Sequence, residues 1–116
     1  MLKGLQGCIY AVPSLAEAVS WYSKVFETSP QRESSRAVEF WIDGFQLILV
    51  PQTGETSHMQ GGVTACWGVT DLAAEVERVQ ALGATLIEPA HCLLEGLVQV
   101  TLLDPYGNRL GLVTKQ

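Results

Sequence analysis

Histidine occurs only twice in this chain, at His58 and His91, and neither has a carboxylate or a second histidine at ligand spacing. A metal centre built on imidazoles has little to draw on. Cysteine is also scarce: three residues, no CxxC pair, and two of the three inside apolar strand-like runs. That argues against a disulfide framework and leaves free, buried thiols in a cytoplasmic setting. Cations are few, 7 Lys and Arg against 12 Asp and Glu for a net charge of -5, and they form no cluster. Neither nucleic acid nor an anionic membrane surface is therefore an expected partner. No apolar run is long enough to span a bilayer. Leu5-Gln6-Gly7-Cys8 has the outline of a lipobox without the apolar segment that precedes one, so no lipid anchor is expected. Nothing has the layout of a Ser-His-Asp or Cys-His nucleophile.

What the chain does have is apolar substance, 47% of 116 residues, enough for one domain or for two small modules sharing a core. It also has a repeated sentence. Leu102 to Val113, LLDPYGNRLGLV, reads as two strands folded about an Asp-Pro-Tyr-Gly-Asn turn, with Gly107 and Asn108 supplying the positive φ that the reversal needs. Trp41 to Val50, WIDGFQLILV, is a paler copy: setting Gly44 on Gly107 places Leu47, Leu49 and Val50 on Leu110, Leu112 and Val113. A shift of 57 residues likewise pairs Leu15 with Leu72, Tyr10 with Trp67, Val12 with Val69 and Val19 with Val76. Two tandem βαβββ units account for both alignments.

Taken in order, residues 5–12 predict a strand and Ser14, with Glu17 at capping-box spacing, starts a helix whose stripe is Leu15, Val19, Tyr22 and Phe26. Residues 31–36 are polar, a short strand or a loop. Ala37 to Ile42 and Phe45 to Val50 pair about Asp43-Gly44. Residues 53–62 read as a linker between module one (about 1–52) and module two (about 63–116). There Val63 to Val69 is a strand, Asp71 caps a helix with Leu72, Val76 and Val79 on one face, and Gly83 follows its end. Ala84 to Glu88 is a short strand, then comes a Pro-containing loop with His91 and Cys92. Leu97 to Leu103 and Arg109 to Thr114 close the chain.

Asp104-Pro105-Tyr106-Gly107-Asn108-Arg109-Leu110, together with Val69-Thr70-Asp71-Leu72 and Trp21-Tyr22, resembles the vicinal oxygen chelate superfamily of glyoxalase I, extradiol dioxygenases and bleomycin-resistance proteins. The resemblance implies an α+β fold of paired βαβββ modules whose mixed sheets curl around a cavity, in a homodimer. In enzymes of that family, His or Gln from each first strand and Glu from each last strand hold a divalent ion that grips neighbouring substrate oxygens. Carried over, those positions fall here on Gly7 (with Gln6 beside it), Ile48, Thr64 and Gly111. Gly and Ile cannot coordinate, Thr is a poor ligand, and a register slip that rescued Gln6 would turn it to the other sheet face. No metal and no other cofactor is expected.

Strand alternation then says what the cavity offers instead. Val38, Phe40, Ile42, Phe45, Leu47 and Leu49 form a helix-facing side in module one, as do Val98, Val100, Leu102, Leu110 and Leu112 in module two; Tyr10 and Trp67 fall on that side too. The opposite side carries Glu39, Trp41, Gln46 and Ile48, then Thr64, Cys66, Gln99, Thr101, Arg109, Gly111 and Val113. Small residues leave room, Trp41 gives a stacking plate, and the polar side chains give handles for a drug-sized or aromatic ligand. The plain alternatives are a contact surface for Trp41, solvated charges for Glu39 and Arg109, and a small buried thiol for Cys66. Three functions follow: a metal-free protein that binds or sequesters an antibiotic or aromatic molecule; a lyase, isomerase or dioxygenase with non-standard ligands or with Glu39 as base; or a structural or regulatory homodimer.

Overall fold

The computed structural model describes residues 2–54 and 63–115; His58 and most of the expected linker lie outside them. The chain divides into two compact units, Met1–Gln60 and Gly61–Gln116. Unit one runs β1 (Gly7–Val12), α1 (Leu15–Phe26), β2 (Arg32–Glu33), β3 (Val38–Ile42) and β4 (Phe45–Pro51). Unit two runs β5 (Ala65–Gly68), α2 (Leu72–Ala81), β6 (Thr85–Leu94), β7 (Leu97–Leu103) and β8 (Arg109–Lys115). Each forms a four-stranded mixed sheet, in the orders β1-β4-β3-β2 and β5-β8-β7-β6. Because the second order is the first moved along by four strands, the sequence repeat is a structural repeat.

Local chemistry sets the element ends. Ser14, in extended backbone, caps α1 by accepting from the Glu17 N–H at 3.3 Å. Asp71 does the same for α2 through the Ala74 N–H at 3.1 Å. These caps occupy amides that a first helical turn leaves without partners. Asp43 (φ 49°) and Gly44 (φ 86°) turn β3 into β4, the left-handed pair that matches strand twist in a two-residue hairpin. The longer β7–β8 turn is built around one carboxylate: Asp104 is buried and accepts from the N–H groups of Tyr106 (2.9 Å) and Asn108 (2.7 Å) and from Asn108 Nδ2 (3.1 Å). Only Gly107 takes positive φ there, so Asn108 serves as a donor and not as the second left-handed residue.

In unit one, Val38, Phe40, Leu47 and Leu49 are buried on the helix side of the sheet, where Phe26 meets Phe40 edge-on at 5.6 Å and Tyr22 meets Tyr10 at 5.8 Å. The expected helix stripe is rotated: Ala18, Trp21, Tyr22 and Val25 are the buried residues, while Leu15, Val19 and Phe26 sit at its margins. Periodicity finds the face, and the large Trp21 ring shifts its centre. Ile42 and Phe45 do not join the core; they cap the hairpin tip, and Phe45 is 60% exposed.

The chief departure is β6. Ala84 to Glu88 with a loop beyond becomes a single ten-residue strand through Pro89, His91 and Cys92, with register shifts that absorb the irregularity. Proline is tolerated because β6 is the sheet edge, where one side of the strand needs no ladder donor.

Candidate functional site

The register fixes which residues share the sheet faces turned away from the helices. In unit one Arg32 lies opposite Glu39, Glu39 opposite Ile48, and Ile48 opposite Ile9; Trp41 lies opposite Gln46, and Gln46 opposite Gly7. Directly opposed residues project to the same side. Glu39, Trp41, Gln46 and Ile48 are thus brought together as alternation requires, and Arg32 joins them.

Arg32 grips Glu39 with two parallel bonds, Nε to Oε1 at 2.7 Å and Nη2 to Oε2 at 2.6 Å, and Gln46 Nε2 donates to the same Oε2. Hydrogen bonding from Arg32 first, then from Gln46, holds the Glu39 carboxyl at about 2, well below its ordinary 4.5. A carboxylate held that low is a feeble general base near neutrality. The Gln31 side chain adds a further link, its Oε1 accepting from the Trp41 N–H at 2.7 Å. Around this island the face is apolar and open: Trp41 is 38% and Ile9 52% exposed.

In unit two Cys66, Gly111, Thr101 and Glu88 share one line across the sheet, and Val113, Gln99 and His91 the next. Gln99 Nε2 donates to Thr101 Oγ1 at 2.9 Å, both residues being buried. Arg109 lies opposite Leu103 at the hairpin end of the same side. Cys66 and Cys92 are exposed and Cys8 is half-buried, so the thiols are not the buried ones expected, because β5 and β6 leave these side chains open; partial desolvation still pushes the Cys66 thiol up. Thr64 precedes β5 and is not a strand residue.

The resemblance carries the family's metal ligands onto Gly7, Ile48, Thr64 and Gly111, and the surroundings of the two glycines show how much side-chain space each has. A Cβ placed on Gly7 would stand 2.3 Å from the Gln46 carbonyl oxygen and 2.8 Å from Gln46 Cβ. At Gly111 it would meet Ala65 O, Cys66 Sγ and Thr64 Cγ2, each at 3.1 Å. At Gly7 the Gln46 backbone bars a side chain, and at Gly111 the neighbours would have to give by a few tenths of an ångström to admit one. Ile48 offers no donor, and among the described residues no three His, Cys, Asp or Glu side chains cluster as a metal site.

Arg32 is the site residue that the sequence analysis missed. It stands in a polar stretch whose only strand is two residues long. The available signal was chemical: a carboxylate alternating into a sheet face needs a donor, and cations are few here.

A family model described as a glyoxalase-like domain matches residues 8–113. No curated protein sequence matches the chain significantly. Among solved structures, the fosfomycin resistance protein FosX from Listeria monocytogenes, complexed with Mn(II) and sulfate, is similar at TM-score 0.80 and 17% identity, covering 100% of this chain and 93% of its own. FosX from Mesorhizobium loti gives TM-score 0.74 at 19% identity, with 100% and 95% covered. A glyoxalase-related enzyme from Fulvimarina pelagi gives 0.78 at 17%, with 98% and 89% covered.

Proposed function

The chain belongs to the glyoxalase-like domain family, in the vicinal oxygen chelate superfamily, and from that premise we propose that it binds a small aromatic or antibiotic-like molecule without a metal. The observation that carries this reading is the pair of glycines, Gly7 barred and Gly111 crowded by their neighbours, at the positions onto which the resemblance carries metal ligands. Its complement is the open face of unit one, where Trp41 and Ile9 lie beside the Arg32–Glu39–Gln46 island.

Trp41 supplies a stacking surface, and Arg32 keeps N–H groups beyond the two that Glu39 engages, its side chain being 76% exposed. The Glu39 carboxylate already accepts three hydrogen bonds and acts as the anchor that orients Arg32 and Gln46. Gln99 and Thr101 would orient ligand groups over the second sheet, with Cys66, Arg109 and Gly111 on the same sheet face and Thr64 just before β5, while Ile48 lies on the face of unit one. Such a protein works stoichiometrically: it holds a toxic molecule by mass action, without cofactor or turnover, in the cytoplasm. The fosfomycin-resistance neighbours support including antibiotics among its ligands.

The test is a thermal-shift screen of antibiotics, fosfomycin among them, and aromatic metabolites in the presence of EDTA, followed by titration of any hit against Trp41→Ala. We expect a stabilising hit whose affinity falls at least about tenfold in the variant while its thermal midpoint stays near that of the parent. Failure of every compound, or a hit indifferent to Trp41, would overturn the assignment. A second reading, homodimerisation through this face, is favoured by the exposure of Ile9 and Trp41. It predicts that Trp41→Ala shifts the protein from dimer to monomer in sedimentation equilibrium.

A further inference from the structure

The open face of unit one has a one-sided polar inventory. Glu39 is its carboxylate, and the lone pairs are taken. Oε1 accepts from Arg32 Nε, Oε2 accepts from Arg32 Nη2 and Gln46 Nε2, and the Trp41 side chain is a further hydrogen-bonding partner. A carboxylate has about four lone-pair sites, so none remains for a donor on a ligand. What the face still offers is donors. Arg32 engages Glu39 through its side-on fork, Nε with Nη2. Its end-on fork, Nη1 with the second hydrogen of Nη2, engages none of the described residues, and the side chain is 76% exposed. Gln46 likewise has a second Nε2 hydrogen beyond the one given to Glu39.

The strand register sets a ring surface beside that fork. β2 begins at Arg32, opposite Glu39, so no β2 residue stands opposite Trp41. The Gln31 side chain takes up the Trp41 N–H at 2.7 Å instead. Trp41 is therefore the diagonal neighbour of Arg32 on an open flank, at the separation of about 7–8 Å that long and aromatic side chains bridge. The residue is 38% exposed, and its side chain holds to the same carboxylate that holds the guanidinium. A flat apolar plate and a planar cationic fork thus share one anchor. Because both are already oriented, a ligand that meets the two together gives up little further protein freedom on binding.

Resting on the reading of this face as a ligand site, we propose that its ligand is a planar aromatic carboxylic acid. The ring lies against Trp41, and the carboxylate takes the outward fork of Arg32 in two parallel N–H···O bonds. Such bidentate, charge-assisted pairing is one that an amine cannot make and a neutral amide makes only in part. An ammonium would have to displace a bond that Glu39 already accepts. The net charge of -5 opposes an anion at long range, but that field is screened over about 10 Å at 0.1 M salt, whereas the fork acts at contact.

The experiment is a two-dimensional NMR titration of the full chain in EDTA, reading backbone amides and arginine Nε, with 1-naphthoate, 1-naphthamide and 1-naphthylmethylamine. We expect saturable shifts at Trp41, Gln46 and Arg32 Nε with naphthoate, and binding of the amide and the amine weaker by at least about fivefold. This comparison is made within the parent protein and depends on no variant. Arg32→Lys keeps the charge and removes the fork; it should weaken naphthoate about fivefold or more, with a thermal midpoint near that of the parent. No saturable binding of naphthoate, equal or tighter binding of the amide or amine, or naphthoate binding indifferent to Arg32→Lys would each overturn the proposal. If the amide or amine binds in its place and Trp41→Ala weakens it, the broader reading of this face stands without the acid. If no naphthalene compound binds and the antibiotic and metabolite screen yields no hit sensitive to Trp41, that broader reading falls as well.

Discussion

Glu39 shows how much of a site can rest on one side chain. Its carboxylate is drawn down to about 2 by Arg32 and Gln46, so it stays ionised through the physiological range and anchors two neighbours. A folded-state value below the unfolded one means a stabilising contribution that is complete above about pH 4.5 and lost as pH falls from there toward about 2. Urea midpoints measured between pH 6 and pH 3 should therefore show the parent ahead of Glu39→Gln at the upper end and the gap closing as acid is added. A constant gap at every pH would refute the ionic anchor. Because the Arg32 side chain is largely in solvent, the gap should also shrink with salt. The alternation of β3 and β4 made Glu39, Trp41 and Gln46 legible as one face. Arg32 was not, since a two-residue strand has no period to read.

At the scale of elements, the turn that closes the chain rests on Asp104. Its loss would strand the Tyr106 and Asn108 amides in a partly buried turn, so Asp104→Ala should cost about 2–3 kcal/mol in urea unfolding. Ser14→Ala removes one cap at an exposed helix start and should cost only about 1 kcal/mol. Equal losses would contradict this account of the turn. Both hairpins were plain in the sequence because turn chemistry is local: Asp43-Gly44 and the residues around Gly107 demand particular backbone angles whatever surrounds them. The course of β6 was hidden for the opposite reason. Pro89 reads as a breaker, and only the strand's place at the sheet edge, a property of the assembled unit, makes it harmless. The rotated stripe of α1 has a similar cause, since a helical period says which residues lie together but not which of them lies deepest.

At the scale of the molecule, two units built to one plan have diverged in what they fill. Unit one packs its helix side with tyrosine and phenylalanine and keeps a tryptophan and an isoleucine open on the other side. Unit two packs its helix side with aliphatic residues, Val79, Val100, Leu102, Leu110 and Leu112, and buries Gln99 and Thr101 on the other. The repeat, and with it the family, could be read from aligned leucines and glycines. What the units hold could not, because that depends on how side chains from different elements pack against one another. The same holds for Gly7 and Gly111: sequence says that they cannot coordinate, and the structure adds that no side chain fits there without displacing its neighbours. The central claim is therefore binding without a metal. Its most direct test is the dissociation constant of the best ligand from the screen, measured by calorimetry in EDTA and again with manganese, zinc, nickel or iron(II) in excess. The account predicts the same constant in every case and no metal retained after dialysis. Affinity that appears only with an ion, or about one ion held tightly per chain, would contradict it.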